Sequence, residues 1–208
     1  MKTSRARVAA GLLVLLVLTS FCDRHSATTR SVTLIEPADA SAAPEFSRDA
    51  ATGLFIGMRK FPQDETMEVP YAVDDAIDLA YRFVLDQRVA LIPPRRAVLA
   101  LSGTPQKKES RERLRALKGA NVRIVADATA ADILELLKQQ AAAAGRDGLF
   151  VLSIASHGFQ QNGDAYILGS TSVFGSPETS LRAATLYDLA AQARRSLIFI
   201  DACRDRIA

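Results

Sequence analysis

The chain has 208 residues, with 26 Lys and Arg, 23 Asp and Glu and two His, for a net charge of +3. Residues 1–22 hold Lys2, Arg5 and Arg7 and no acid, so the rest carries 23 basic and 23 acidic side chains, a neutral balance that removes any charge argument for nucleic-acid binding. Apolar residues at 49% and charged residues at 24% fit one globular domain with an appendage, and two Cys and two His this far apart offer no zinc-ligand spacing.

The amino terminus reads as an export signal: a basic start, an apolar run from Val8 to Leu18, then Thr19-Ser20-Phe21-Cys22. The run is too short for a spanning helix and right for a signal core. Cys22 at its end is a candidate lipidation site, although Phe21 stands where a small residue normally precedes such a Cys. Residues 1–22 are therefore a signal peptide, a lipoprotein signal or an uncleaved anchor, and each outcome predicts an exported domain, periplasmic or held at a membrane as a lipoprotein. Residues 23–51, rich in Ser, Thr, Ala and Pro without a sustained apolar period, read as a flexible tether.

A domain is predicted over 52–208. Short apolar runs predict strands over 53–58, 97–101, 122–125, 149–155 and 197–202, and helical spacing predicts helices over 73–87, 110–117, 130–143 and 181–194. Residues 164–168, following Gly163, predict a small hairpin. Strand alternating with helix implies right-handed crossovers and an α/β fold with a mostly parallel central sheet. Ligands of such sheets bind at the carboxyl ends of the strands.

Two of these strands end in chemistry. The 149–155 run closes on Ser156-His157-Gly158, and the 197–202 run on Asp201-Ala202-Cys203-Arg204. A Cys and a His at neighbouring strand ends suit a cysteine-dependent hydrolase, because the thiolate is the nucleophile and an imidazole takes its proton. By strand alternation Asp201 shares a face with Cys203. A carboxylate there favours a basic side chain on the residue preceding the scissile bond.

These residues resemble the catalytic domain of the bacterial caspase-like and metacaspase cysteine peptidases. The caspase signature is Gln-Ala-Cys-[Arg/Gln/Gly]-Gly with a His about 50 residues upstream; here Ala202-Cys203-Arg204 matches and His157 stands 46 positions before Cys203. Asp201 departs from the caspase pattern but is what the metacaspase branch carries. Leu54-Phe55-Ile56-Gly57 resembles the family's first strand, Val73-Asp74-Asp75-Ala76 the start of its first helix with Asp74 where Asn is usual, and Asp127-Ala128-Thr129 the turn before the next helix.

The resemblance implies a caspase-like three-layer sandwich and a cysteine endopeptidase with a His157–Cys203 dyad. It also implies oxyanion donation from the N–H groups of Gly158 and Cys203, and an acidic pocket of Asp75 and Asp201 that selects Arg or Lys. The plainer readings are a helix-start charge for Asp75 and a strand-end acceptor for Asp201. No metal site and no cofactor are expected, with calcium dependence open. Lys107, Lys108, Arg111 and Arg113 are candidate self-cleavage sites in a loop.

The chain ends five residues after Cys203, whereas the resemblance implies two further strands. The expectation is a domain truncated after the Cys strand, with 197–200 as an unprotected apolar edge that a small-subunit-like partner or a second copy completes. This leaves an alternative in another class, a non-catalytic exported module that binds a partner through its open sheet edge. A third reading, a CHAT-type or other Cys-His hydrolase, would lack the first-helix Asp pair. Peptide or protein substrates are the only further partners implied, with no nucleic acid.

Overall fold

The computed structural model describes residues 47–202, together with the backbone of 32–35 and 205–206. Each of the five predicted strands forms within one residue of expectation at either end: β2 (Thr52–Met58), β3 (Ala97–Ser102), β4 (Arg123–Ala126), β5 (Phe150–Ser156) and β9 (Ser196–Ala202). They pair in parallel in the order β9-β5-β2-β3-β4. β2, β3 and β5 are buried along their whole length, which is why their sequences are almost continuously apolar.

Helices cover both faces. α1 (Ala72–Val84) and α2 (Lys108–Gly119) lie on one side, where Val73, Ile77, Ala80 and Leu117 pack with Phe55, Leu99 and Val151. α3 (Ala130–Ala144) and α4 (Ala183–Ala190) lie on the other, where Ile133, Leu137, Leu186 and Ala190 pack with Leu54, Ile56, Leu152 and Ile154. Odd and even positions of β2 and β5 thus feed different cores, as the two-residue strand period requires. The result is an α/β three-layer fold with a mostly parallel central sheet, as the sequence predicts.

A second sheet stands at the carboxyl edge of the first. β6 (Gly158–Gln161) and β7 (Asp164–Ile167) form a hairpin in which 164–167 is the second strand rather than the start that the sequence suggests, joined by β8 (Leu181–Arg182) and by β10 (Asp205–Arg206), in the order β10-β6-β7-β8. This corrects the helix expected over 181–194. Leu181 pairs with Ile167 and is fully buried, Arg182 pairs with Tyr166 and bonds the Asp164 carboxylate at 2.8 Å, and the helix begins only at Ala183. α1 also stops short of residue 87, because Asp86 turns the chain by accepting from Arg88 N–H through its carboxylate and from Val89 and Ala90 N–H through its carbonyl.

The largest departure from expectation is at the edge. β1 (Val32–Ile35) pairs antiparallel with β9, Val32 opposite Phe199 and Ile35 opposite Ser196. The Ser196–Phe199 stretch of the β9 edge is therefore occupied, and part of the expected tether is a strand. Composition hid this, because four apolar and β-branched residues in a Ser/Thr-rich stretch have no local partner; the edge supplies one. Among the described residues no helix is long and apolar enough to cross a membrane, and the expected signal core and Cys22 lie outside them.

Two contacts fix the connections above the sheet. A Cβ on Gly57 would meet the Ala72 carbonyl oxygen at 2.5 Å and Val73 Cα at 2.8 Å, so only glycine lets α1 start against β2. Asp74, fully buried in the first turn of α1, accepts the backbone N–H groups of Lys107 (2.7 Å) and Gln106 (3.0 Å) at the amino end of α2. Its charge is met by two peptide donors and a favourable helix end. At the start of α3, Thr129 and Asp132 form a reciprocal capping box. The Thr129 hydroxyl and N–H hold the Asp132 carboxyl below its usual range, so its contribution is present at neutral pH and lost as pH falls through that lowered value.

Gly57→Ala is expected to destabilise the fold by about 1–3 kcal/mol through overpacking, read as a lowered urea midpoint with unchanged slope. Asp74→Ala leaves the N–H groups of Gln106 and Lys107 without their acceptor and is expected to cost about 1–3 kcal/mol, with Asp74→Asn recovering part of the loss. An Asp74→Ala protein as stable as the parent would mean the two N–H groups find other acceptors.

Candidate active site

The chain lays β3 and β4 on one side of β2 and then crosses to lay β5 and β9 on the other, so the sheet order reverses between β2 and β5. Open α/β sheets hold their ligands in the crevice at the carboxyl ends of strands flanking that reversal. His157 follows β5 there. A hollow of about 370 Å³ lined by Arg48, Val84, Ile92 and Pro94 lies at the opposite edge, before the starts of β2 and β3, and has no part in this site.

His157 is half-buried at the joint where the chain leaves β5 for β6. Its carbonyl accepts Leu168 N–H at 3.0 Å, while the buried Ser156 hydroxyl donates to the Leu168 carbonyl at 2.8 Å. This double clasp ties the joint to the exit of β7. The imidazole lies against Phe61, with ring centroids 5.4 Å apart and planes inclined at 41°. Gly158 is buried as the first residue of β6, paired with Ile167.

β9 runs beside β5 with Ser156 opposite Ala202, and β10 runs beside β6 with Phe159 opposite Asp205. Both pairs carry the same offset of 46 residues. The two strand pairs thus keep one parallel register before and after residues 157–158 and, in sequence, residues 203–204. Cys203 and Arg204 lie outside the described residues. The expectation that 197–202 ends beside His157 rests on this register, which the four described flanking pairs Ala155–Asp201, Ser156–Ala202, Phe159–Asp205 and Gln160–Arg206 supply.

Asp201 is half-buried and pairs with Ala155. It stands two residues beyond Phe199, whose ring meets Phe83 of α1 at 6.1 Å, so alternation puts Asp201 on the α1 face of the sheet. Asp75, also half-buried, occupies the first turn of α1, its N–H bonded to the Tyr71 carbonyl at 2.8 Å. Both residues stand toward the carboxyl edge of the sheet on its α1 side. Asp74, its sequence neighbour, is turned to the α2 junction.

Near this junction Tyr71 adopts φ = 67°, left-handed for a non-glycine residue, with its ring 48% exposed under the Lys107 ammonium at 4.8 Å. Lys107 caps α2, and Lys108, Arg111 and Arg113 lie within it, Arg113 bonded to Asp78 at 2.9 Å. Of the expected self-cleavage sites, Lys108, Arg111 and Arg113 are therefore helical, and a helix does not offer the extended backbone a peptidase cleaves; Lys107 stands just outside the helix with extended backbone. Among the described residues no cluster of three or more His, Cys, Asp or Glu is arranged to hold a metal ion.

Sequence reasoning missed Phe61, Ser102, Ser156 and Leu168. Phe61 lies in a connection with no periodic signal, and the serine hydroxyls act only through long-range backbone partners. Ser156 alone carried a hint, as the residue preceding the His in a strand-ending turn.

Compared with curated proteins, the chain finds no match. A family model does match: the caspase domain of the C14 peptidases aligns with residues 52–208, three quarters of the chain, a span that contains the whole parallel sheet, both joints and the four helices. With that coverage, and with an α/β sheet whose His strand and Cys strand are parallel neighbours, the chain belongs to the caspase-domain family of cysteine peptidases.

Proposed function

We propose that the chain is an exported cysteine endopeptidase that cleaves after Arg or Lys, with Cys203 as nucleophile and His157 as its acid–base partner. The observation that carries this reading is the single register that β5–β6 and β9–β10 share across the joint containing the two residues. The imidazole takes the thiol proton, and the thiolate attacks the scissile carbonyl to give a tetrahedral oxyanion. The N–H groups of Gly158 and Cys203 stabilise that charge. Collapse expels the amine, protonated by His157, and water then releases the acyl group with the imidazole as base.

Asp75 and Asp201 supply the specificity. Two carboxylates at one edge of the α1 face favour a cationic side chain on the residue whose carbonyl is attacked, and disfavour an acidic one by like-charge repulsion. The signal-like start and Cys22 support a location outside the cytoplasm, either released or lipid-anchored. With Cys22 acylated or removed, Cys203 is the only thiol in the chain and has no intramolecular disulfide partner. The alternative, a non-catalytic exported module that binds a partner through its sheet edge, would have to act beside β1, which pairs with Ser196–Phe199.

The test is hydrolysis of fluorogenic peptides ending in Arg, Lys or Asp by the full chain in detergent under reducing conditions, with and without calcium. Turnover of Arg and Lys peptides that vanishes in Cys203→Ala and falls roughly a hundredfold or more in His157→Ala is expected. Folded protein without turnover of any peptide refutes the peptidase reading. For the pocket, Asp201→Asn and Asp75→Asn are each expected to lower kcat/KM for Arg peptides roughly tenfold to a hundredfold. Unchanged selectivity in both variants would move the specificity elsewhere.

A further inference from the structure

An imidazole that exchanges protons with two different atoms needs a fixed plane, and His157 is anchored covalently only through a joint between two short strands. Its backbone is clasped by Leu168. A contact on the ring itself comes from the far side of the reversal in the sheet.

Ser102 closes β3 beside the end of β2. Its carbonyl accepts the N–H groups of Arg59 (3.0 Å) and Lys60 (3.3 Å), and its buried hydroxyl donates to the Lys60 carbonyl at 2.7 Å. The Arg59 guanidinium binds the Glu68 carboxylate and the Thr104 carbonyl, and Asp64 N–H closes the next turn onto the Phe61 carbonyl at 3.0 Å. The segment 59–61 is thus held at its root by β3 and at its tip by its own turn. From it one aromatic ring projects: Phe61, 2% exposed and 5.4 Å from the imidazole centroid.

We propose that Phe61, braced by Ser102, is a positioning residue that sets the orientation of the His157 imidazole. The inference rests on the peptidase reading for its kinetic consequence but not for its structural one. Tilted aromatic pairs at this separation prefer a limited set of orientations, so the buried ring acts as a wall that restricts rotation of the imidazole. A catalytic group displaced by about 1 Å typically forfeits around a hundredfold in rate, so partial loss of the wall has a large lever. Because Phe61 packs in the core on the α3–α4 side and touches the imidazole, whereas the residues assigned to the specificity pocket belong to the α1 side, the effect falls on kcat.

The test uses the full chain in detergent with 13C-labelled histidine, whose only two imidazoles are those of His25 and His157. Replacing Phe61 by Leu removes the aromatic wall and its ring current. The His157 ring signals are expected to shift and broaden, kcat for Arg peptides to fall about five- to fiftyfold with KM within about twofold, and Phe61→Tyr to restore both. Ser102→Ala, which keeps the ring and deletes its brace, is expected to broaden the same signals with a smaller loss of kcat. This second variant decides the matter if Phe61→Leu fails to fold. Unshifted, sharp His157 signals in folded Phe61→Leu, or in Ser102→Ala where only that variant folds, would overturn the proposal. The ring signals are read even if the parent cleaves no peptide, so failure of the peptidase reading and failure of this one are separable.

Discussion

Parallel pairing of β5 with β9 is the constraint on which the rest of the site depends. Two adjacent parallel strands deliver their carboxyl ends to one edge at a spacing of about 4.8 Å, and the register decides which residues arrive together. In this chain that register survives the passage from the large sheet to the small one, since Phe159–Asp205 keeps the offset of Ser156–Ala202. A one-residue slip in either strand would turn every side chain beyond it to the opposite face. The slip is opposed by burial on both faces, with Val151 in one core and Leu152 and Ile154 in the other.

Above that edge, the connections are held by hydrogen bonds between segments far apart in sequence. Asp74 joins the start of α1 to the start of α2, Ser102 joins the end of β3 to the segment after β2, and Ser156 and Leu168 join the β5–β6 joint to the exit of β7. Each polar group is buried, and each is satisfied by backbone, so the cost of burying it is met and its partner is fixed. Loops that carry chemistry need such anchors, because a scaffold of strands positions only their ends. The left-handed Tyr71 at the α1 start belongs to the same set, a strained residue retained where two helix starts meet the edge of the sheet.

The edge strand β1 changes how the outer strand is viewed. β9 carries Leu197 and Phe199 on the α1 side and Ile198 on the other, and without a neighbour it would present apolar residues beside a row of unpaired peptide groups. Pairing with Val32–Ile35 covers the Ser196–Phe199 part of that row within the chain. The segment following the signal-like start is thereby tied to the strand that leads to Cys203.

By itself the sequence determined the alternation of strand and helix, the extent of the five central strands, the hairpin after His157 and the candidacy of His157 and Cys203. These are local properties: apolar period, run length and turn residues act within a few positions and survive without knowledge of partners. Only the tertiary structure decided that Asp74 faces a neighbouring helix while Asp75 is left to the α1 face, and that Leu181–Arg182 is a strand rather than the first turn of a helix. It likewise decided that four residues of an unstructured-looking stretch close the sheet and that Phe61 reaches the imidazole. Each of these depends on a partner 14 to 167 positions away, such as Ile167 for Leu181, Lys107 for Asp74, Phe199 for Val32 or His157 for Phe61. Local propensity carries no information about which long-range partner burial and hydrogen bonding will select.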